Sequence, residues 1–157
     1  MTDSEVRIAH EPLQEFTREV FSQAGMPPQD AETEAVTLIW ANLRGVDSHG
    51  VLRIPWYVDN IDKGVMNPKP NIRIVHETPA TLLIDADRAL GPVVTTLAME
   101  LAMKKAREVG IGWVLIRNHT HQGAIGYYTQ MAAKKDMAGI VFACNPPNMA
   151  PHGASVA

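Results

Sequence analysis

The chain has 157 residues, of which 46% are hydrophobic and 20% are charged, and its formal net charge at pH 7 is −3. This composition is typical of a folded globular protein and excludes a disordered chain. The basic residues are scattered, which argues against nucleic-acid binding, and no stretch approaches the roughly 18 apolar residues of a membrane span. Because the N-terminus also lacks the basic and apolar regions of a signal peptide, we expect a cytoplasmic protein.

Helical periodicity dominates the first part of the chain. Apolar residues recur three and four positions apart in three predicted helices, at residues 12–24, 30–43 and 51–63. A loop rich in proline and asparagine follows and predicts a boundary near Asn67. We therefore expect a helical, substrate-side segment at 1–67 and a partial mixed-sheet domain for cofactor binding at 68–157.

Strand and helix patterns alternate beyond this boundary. Two short alternating runs predict paired strands at 72–77 and 81–84. The elements predicted after them are a helix at 90–108, a strand at 112–116, a helix to about Lys135 and a strand at 139–144. The last two strands are continuous apolar runs, so we expect them to be buried, the first on both faces. The predicted fold class is α/β, without the G-x-G-x-x-G motif of the standard Rossmann fold.

The only cysteine, Cys144, ends the last of these apolar runs. A single cysteine cannot form an internal disulfide, and its apolar surroundings favour a buried structural thiol.

The densest polar chemistry lies at residues 44–55, which read RGVDSHGVLRIP. His49 can exchange a proton near neutral pH, and Arg53 can hold a carboxylate through two parallel hydrogen bonds. Glycines flank the polar residues and apolar residues follow, so the histidine would be held on a short, constrained segment. The two side chains together predict a site for an anionic substrate.

Other interpretations of the same residues stay open. Ser48 can cap the following helix instead of serving a catalytic site. A nucleophilic pair of Ser48 and His49 is disfavoured, because adjacent side chains rarely reach the required hydrogen bond. A zinc site formed by His119, His121 and His49 with Asp47 is weakly supported, since the spacing fixes no third ligand.

Two further polar loops follow predicted strands. RNHTHQGAIGYY, residues 117–128, comes after the strand at 112–116, and NPPNMAPHG, residues 145–153, comes after the strand at 139–144. Loops at the ends of α/β strands commonly bind ligands, because they present side chains beside helix N-termini. We expect these two loops and the 44–55 segment to converge on one cleft.

Three motifs in this order resemble the malate/L-lactate dehydrogenase family of the second type: RGVDSHGVLRIPWYV, GIGWVLIRNHTHQGAIGYYTQMAAKKDMAGI and NPPNMAPHGA. The family groups NAD(P)-dependent 2-hydroxyacid and ureidoglycolate dehydrogenases with related keto-acid and imino-acid reductases that lack the standard Rossmann motif. The resemblance implies hydride exchange between NAD or NADP and a small 2-oxo or 2-hydroxy acid, usually in a homodimer with the active site near the subunit interface. The exact substrate and the choice of dinucleotide stay open.

The resemblance also implies roles for individual residues. His49, with Ser48 beside it, matches the residue that exchanges a proton with the substrate oxygen, and Arg53 matches the position that holds the substrate carboxylate. His121 matches a second active-site histidine, which is the acid/base group in some members, so the choice between the two histidines stays open. The cofactor-binding positions carried over are Gly123, Asn145, Met149 and Pro151, and no metal site is implied.

The chain departs from the family pattern in three ways. His119 stands where the family more often has a small or polar residue, and Gln122 replaces a frequent aromatic residue. Members of the family are also longer than this chain. A non-catalytic fragment or pseudoenzyme, which keeps the first half of the fold and a dimer surface, is therefore the alternative to an active oxidoreductase.

Overall fold

The computed structural model describes residues 7–144 and Gly153. These residues form five helices, two 3-10 turns and three strands. In chain order they are α1 (His10–Gln23), α2 (Pro28–Asn42), the 3-10 turns (Asp47–His49 and Val51–Arg53), α3 (Ile54–Asp62), β1 (Arg73–Glu77), β2 (Thr81–Asp85), α4 (Gly91–Val109), β3 (Trp113–Arg117) and α5 (Gly126–Ala133). The α/β class is confirmed, and the helix predicted at 51–63 begins as the 3-10 turn Val51–Arg53 and continues as α3.

The connection between α1 and α2 is a tight glycine turn. Gly25 has φ +95°, a conformation that glycine adopts without steric penalty. Its turn lets the Met26 N–H donate to the Phe21 carbonyl over 3.1 Å, which satisfies a carbonyl at the end of α1. Pro28 then opens α2 in the first turn, where the missing N–H costs little.

The sheet has the order β1-β2-β3 and is mixed. β1 runs antiparallel to β2, with a bulge between Ile74 and His76. β3 runs parallel to β2, and the crossover between them is α4, as a parallel connection requires. The prediction of a mixed sheet is therefore confirmed.

The predicted burial of the later strands is wrong. In β3, Trp113 is 44% exposed and Leu115 is 56% exposed, so only one face of this strand is covered. Residues 139–144 have no regular secondary structure, and Phe142 instead places its ring 6.0 Å from the ring of Trp113. A strand needs a neighbour for its N–H and C=O groups, and no described segment pairs with these residues. Cys144 is accordingly exposed rather than buried.

Two apolar clusters hold the elements together. The first lies among α1, α2 and α3 and consists of Phe21, Met26, Ala31, Leu38, Tyr57, Ile61, Met66 and Leu90. The second lies between the sheet and α4 and consists of Ile84, Ala86, Ala89, Val94 and Ala98. Leu90 belongs to the first cluster although it follows β2, so the helices pack directly on the start of α4. The division of the chain at Asn67 stays a prediction.

A buried lysine ties α4 to the β1–β2 hairpin. The ammonium group of Lys105 donates to the Glu77 carboxylate over 2.9 Å and to the Thr78 carbonyl over 2.6 Å. These bonds supply the partners that a buried cation needs. Among the described residues, no helix combines the length and apolar character needed to cross a bilayer.

Candidate active site

The 44–55 segment is held in place by the end of α2. The Asn42 side chain accepts a hydrogen bond from the Val51 N–H over 2.8 Å and donates one to the Asp47 carboxylate over 2.6 Å. Gly50 lies against this amide, and a Cβ at that position would come within 2.2 Å of the Asn42 oxygen. Asn42 is thus a positioning residue that sequence reasoning missed, although a polar side chain at a helix end was a signal.

Ser48 does not cap the following helix. The residue at the N-cap of α3 is Arg53, and no side chain bonds to that helix end. The Ser48 hydroxyl instead shares a hydrogen bond of 2.9 Å with His49 Nδ1, so the expectation that adjacent side chains would fail to meet is wrong. The Asp47 carboxylate is bound by Asn42, which leaves the Ser48–His49 pair without an adjacent carboxylate within the described residues.

His121 is delivered by the loop that follows β3. Its neighbour Thr120 anchors this loop by donating its hydroxyl hydrogen to the Ala89 carbonyl over 2.9 Å. Gly91, at the start of α4, allows the loop to approach closely. A Cβ at Gly91 would lie 2.1 Å from the His121 carbonyl oxygen, which no real side chain tolerates.

The two predicted loops meet at their histidines. The rings of His49 and His121 stack with centroids 5.3 Å apart and planes 24° apart. The Trp56 ring meets His121 edge-on at 5.6 Å. The convergence of the 44–55 and 117–128 segments is therefore observed, whereas the third loop falls in 145–153, of which the structure describes only Gly153.

The hydrogen bonds of His121 define its tautomer. The Gly123 N–H donates to Nδ1 over 3.3 Å, so Nδ1 carries a lone pair. The Tyr57 hydroxyl lies 2.7 Å from the same nitrogen and must therefore also donate to it. The ring proton of neutral His121 consequently resides on Nε2. Tyr57 is buried and lies 64 positions from His121, and no local sequence pattern marked it.

Both histidines are held in their neutral forms. Burial, followed by the charges of His49 and Arg53, lowers the pKa of His121 to about 4. The pKa of His49 is lowered by burial and then by the charge of Arg53. Near pH 7 each ring therefore has one protonated and one unprotonated nitrogen.

Arg53 supplies the positive charge of the site. Its Nε donates to the Ser48 carbonyl over 2.6 Å, and its guanidinium lies 5.7 Å from the Trp56 ring centroid. Within the described residues, its terminal nitrogens donate to no protein acceptor. The positive charge of Arg53 contributes to the lowered pKa of both His49 and His121. A cation of this kind can bind an anion beside the ring pair.

The remaining predicted site residues fall into two groups. Gly123 is part of the cluster, with φ +68° and its N–H donated to His121, and its contact with a cofactor stays a prediction. Asn145, Met149 and Pro151 lie outside the described residues. Across the described ranges, no three His, Cys, Asp or Glu side chains are grouped closely enough to hold a metal ion.

The chain is similar to known dehydrogenases. It is 47% identical over 135 residues to L-sulfolactate dehydrogenase of Methanocaldococcus jannaschii, covering 86% of this chain and 39% of the relative. It is 34% identical over 150 residues to ureidoglycolate dehydrogenase (NAD(+)) of Escherichia coli O157:H7, covering 96% and 43%. The solved structure of malate dehydrogenase from Pyrococcus horikoshii OT3 superposes with a TM-score of 0.81 at 45% identity, covering 83% and 37%.

The chain thus spans about two fifths of the length of these relatives, over a continuous stretch that includes both histidines. The sequence profile of malate/L-lactate dehydrogenases matches residues 8–157, nearly the whole chain. Sequence motifs, fold and these matches agree, and the chain belongs to the malate/L-lactate dehydrogenase family.

Proposed function

We propose that this chain carries the substrate-side site of an NAD(P)-dependent oxidoreductase that interconverts a small 2-oxo acid and its 2-hydroxy acid. The observation that carries the proposal is the stacked pair of His49 and His121 beside the guanidinium of Arg53. Proton exchange and carboxylate binding are the two tasks that such a substrate demands. The names of the relatives, which act on sulfolactate, malate and ureidoglycolate, support the same class of substrate.

Arg53 is proposed to bind the substrate carboxylate. Its Nε is already used by the Ser48 carbonyl, which fixes the direction of the guanidinium. The terminal nitrogens then present a planar pair of donors, and a carboxylate accepts both. Binding would place the 2-oxo group next to the two imidazole rings.

His49 is proposed to exchange the proton with the substrate oxygen. Only its Nδ1 is engaged, by Ser48, and the ring is partly exposed, so its protonation can follow the solvent. In the reducing direction, protonated His49 gives its proton to the oxygen of the former carbonyl group. In the oxidising direction, neutral His49 takes the hydroxyl proton.

His121 is proposed to act as a hydrogen-bond donor that remains neutral. Nδ1 receives hydrogen bonds from Gly123 and Tyr57, so a second ring proton there would have to displace both donors. The Nε2–H can therefore donate to the substrate oxygen and stabilise the negative charge that develops on it. His49 would thus exchange the proton, while His121 would donate a hydrogen bond.

Substrate binding would also change the pKa of His49. The charge of Arg53 is the second cause, after burial, of the lowered pKa of His49. A bound carboxylate compensates that charge, so the pKa of His49 rises back toward its ordinary value in the complex. Proton donation thereby becomes easier when the substrate is in place.

A nicotinamide dinucleotide leaves proton exchange and substrate binding to the protein, and His49, His121 and Arg53 fit these two tasks. When bound, this cofactor supplies or accepts the hydride. Gly123, Asn145, Met149 and Pro151 are the proposed contacts. The name of one relative, ureidoglycolate dehydrogenase (NAD(+)), supports a nicotinamide cofactor. Three points stay predictions: the choice between NAD and NADP, the homodimer and the cytoplasmic location.

The test is oxidation of NADH and NADPH by the 157-residue chain with a panel of 2-oxo acids, beside the variant His49→Gln. The proposal expects turnover with at least one acid and a loss of about 10² to 10⁴ in the variant. Turnover that is equal in the variant would refute the role of His49. Absence of both turnover and acid binding would favour the non-catalytic alternative.

A further inference from the structure

A second ionisable group lies inside the protein behind this site. Glu34, in the middle of α2, is fully buried at 0% exposure. Both of its carboxyl oxygens lack a hydrogen-bond partner among the described residues. A charged carboxylate is very costly in such a place, and burial raises the pKa of Glu34 to about 8. The side chain is therefore a neutral acid near pH 7.

Glu34 lies on the face of α2 that carries Ala31 and Leu38, and both of these residues pack in one apolar cluster with Tyr57 of α3. A negative charge on Glu34 raises the pKa of Tyr57 on α3 and of Tyr128 on α5, in both cases as the largest contribution after burial. Tyr57 and Tyr128 are themselves 1% and 0% exposed. Glu34, Tyr57 and Tyr128 are thus three buried polar side chains on three different helices.

The same two hydroxyl groups hold the loop that carries His121. The Tyr57 hydroxyl donates to His121 Nδ1. The Tyr128 hydroxyl donates to the carbonyl of Gln122, the next residue. Each hydroxyl has one hydrogen to donate, so a stronger acceptor nearby competes directly with the loop.

We propose that Glu34 is a positioning residue for His121: as a neutral acid it leaves both tyrosine hydroxyls bonded to the loop, and as an anion it draws them away. An ionised carboxylate is a stronger acceptor than an imidazole nitrogen or a carbonyl oxygen. Loss of the Glu34 proton then loosens His121 from one side. The idea rests on the proposed function only in assigning His121 to the active site.

Charged side chains on α1 and α4, which pack against α2, form ion pairs with residues other than Glu34. Arg18 of α1 lies 3.8 Å from Glu32 at the half-exposed edge of the two helices. Lys105, the buried charge of α4, is bound to the β1–β2 hairpin. Asp30 lies one turn before Glu34 on α2 and is only partly buried. Burial alone accounts for the raised pKa of Glu34, so no described charge compensates it.

His49 and Arg53, on the two 3-10 turns, contribute further charges, and their effect can be separated. His49 and Arg53 act on His121 directly. Arg53 keeps its charge throughout the neutral range. The pKa of His49 lies below 6.5, so its titration occurs on the acidic side of any change caused by Glu34.

The test is NMR of the His121 ring of this chain, titrated from about pH 6 to pH 10. The proposal expects the His121 ε1 resonance to shift with a midpoint near 8, although the ring itself titrates near 4. Glu34→Gln, which keeps the size and removes the charge, should abolish this shift. Glu32→Gln, the same change at a half-exposed position of α2, should leave it in place.

A second variant keeps the test decisive if Glu34→Gln fails to fold. Tyr57→Phe removes the hydroxyl that bonds to the His121 ring, so the alkaline shift at His121 should shrink while the Glu34 carboxyl carbon still titrates. No alkaline shift in the parent chain, or an undiminished shift in Tyr57→Phe, would overturn the proposal. These readouts need no turnover, so they are independent of the proposed activity.

Discussion

Replacement of Glu34 by Gln should remove a pH dependence of stability that the buried acid imposes. The folded-state pKa of Glu34 is about 8, above its ordinary value of 4.5. Between these pH values the folded chain keeps a proton that the unfolded chain has released. The free energy of unfolding therefore falls as pH rises from 4.5 to about 8, and this contribution is fully present only below 4.5.

The size of the effect follows from the two pKa values. Each pH unit inside the window contributes about 1.4 kcal/mol. The full window from 4.5 to about 8 corresponds to at most about 5 kcal/mol, and the interval from about pH 5 to pH 8 to about 3–4 kcal/mol. A change of this size is a large part of the stability of a domain of this length.

The assay is urea denaturation at several pH values for the parent chain and Glu34→Gln. The histidines contribute equally to both, so the difference between the two curves isolates Glu34. Between about pH 5 and pH 8 the parent should lose about 3–4 kcal/mol more than the variant. Glu32→Gln serves as the control and should keep the slope of the parent. Equal slopes in parent and Glu34→Gln would show that Glu34 does not hold a proton in the folded chain at neutral pH.

Three further predictions concern the site. In the active enzyme, His49→Gln should lower turnover by about 10² to 10⁴ while cofactor affinity, measured by NADH fluorescence, stays nearly unchanged. Arg53→Lys should mainly raise KM for the 2-oxo acid in steady-state kinetics, because lysine keeps the charge but loses the two-point geometry; an unchanged KM would remove the carboxylate role. Gly91→Ala should lower the free energy of unfolding by about 1–3 kcal/mol and shift the His121 resonances, because the new Cβ overlaps that loop. Gly64→Ala, where a Cβ meets nothing within 4 Å, should cost only about 1–2 kcal/mol from its left-handed backbone and leave His121 unaffected.

The helices and the three strands of this fold were accessible from the sequence because they depend on local periodicity. The alternation at residues 72–77 and the apolar run at 112–116 each became a strand. What the pattern could not reveal is which faces are covered. Trp113 and Leu115 lie on a face of β3 that no described element buries, and the similar run at 139–144 found no strand to pair with. Burial depends on the neighbours of a strand, which a run of apolar residues does not encode.

The residues of the candidate site likewise fall into those that local motifs reveal and those that depend on packing. His49, His121 and Arg53 carry distinctive chemistry on short polar segments, so the motifs were sufficient to select them. Tyr57 and Glu34 were missed, because their burial and the hydrogen bond of Tyr57 depend on packing between elements that lie far apart in the chain. A tyrosine in a helical pattern is usually a core residue, and nothing local distinguishes one whose hydroxyl bonds to a histidine on a distant loop.

His49, His121 and Arg53 are proposed to form a binding site for a 2-oxo acid. The most direct measurement is NMR of the histidine rings of this chain during titration with oxamate, an unreactive analogue of a 2-oxo acid. We expect the His49 and His121 resonances to shift together, exposed His76 on β1 not to respond, and Arg53→Met to abolish the shifts. Unperturbed rings at saturating oxamate, or shifts that persist in Arg53→Met, would contradict this proposal.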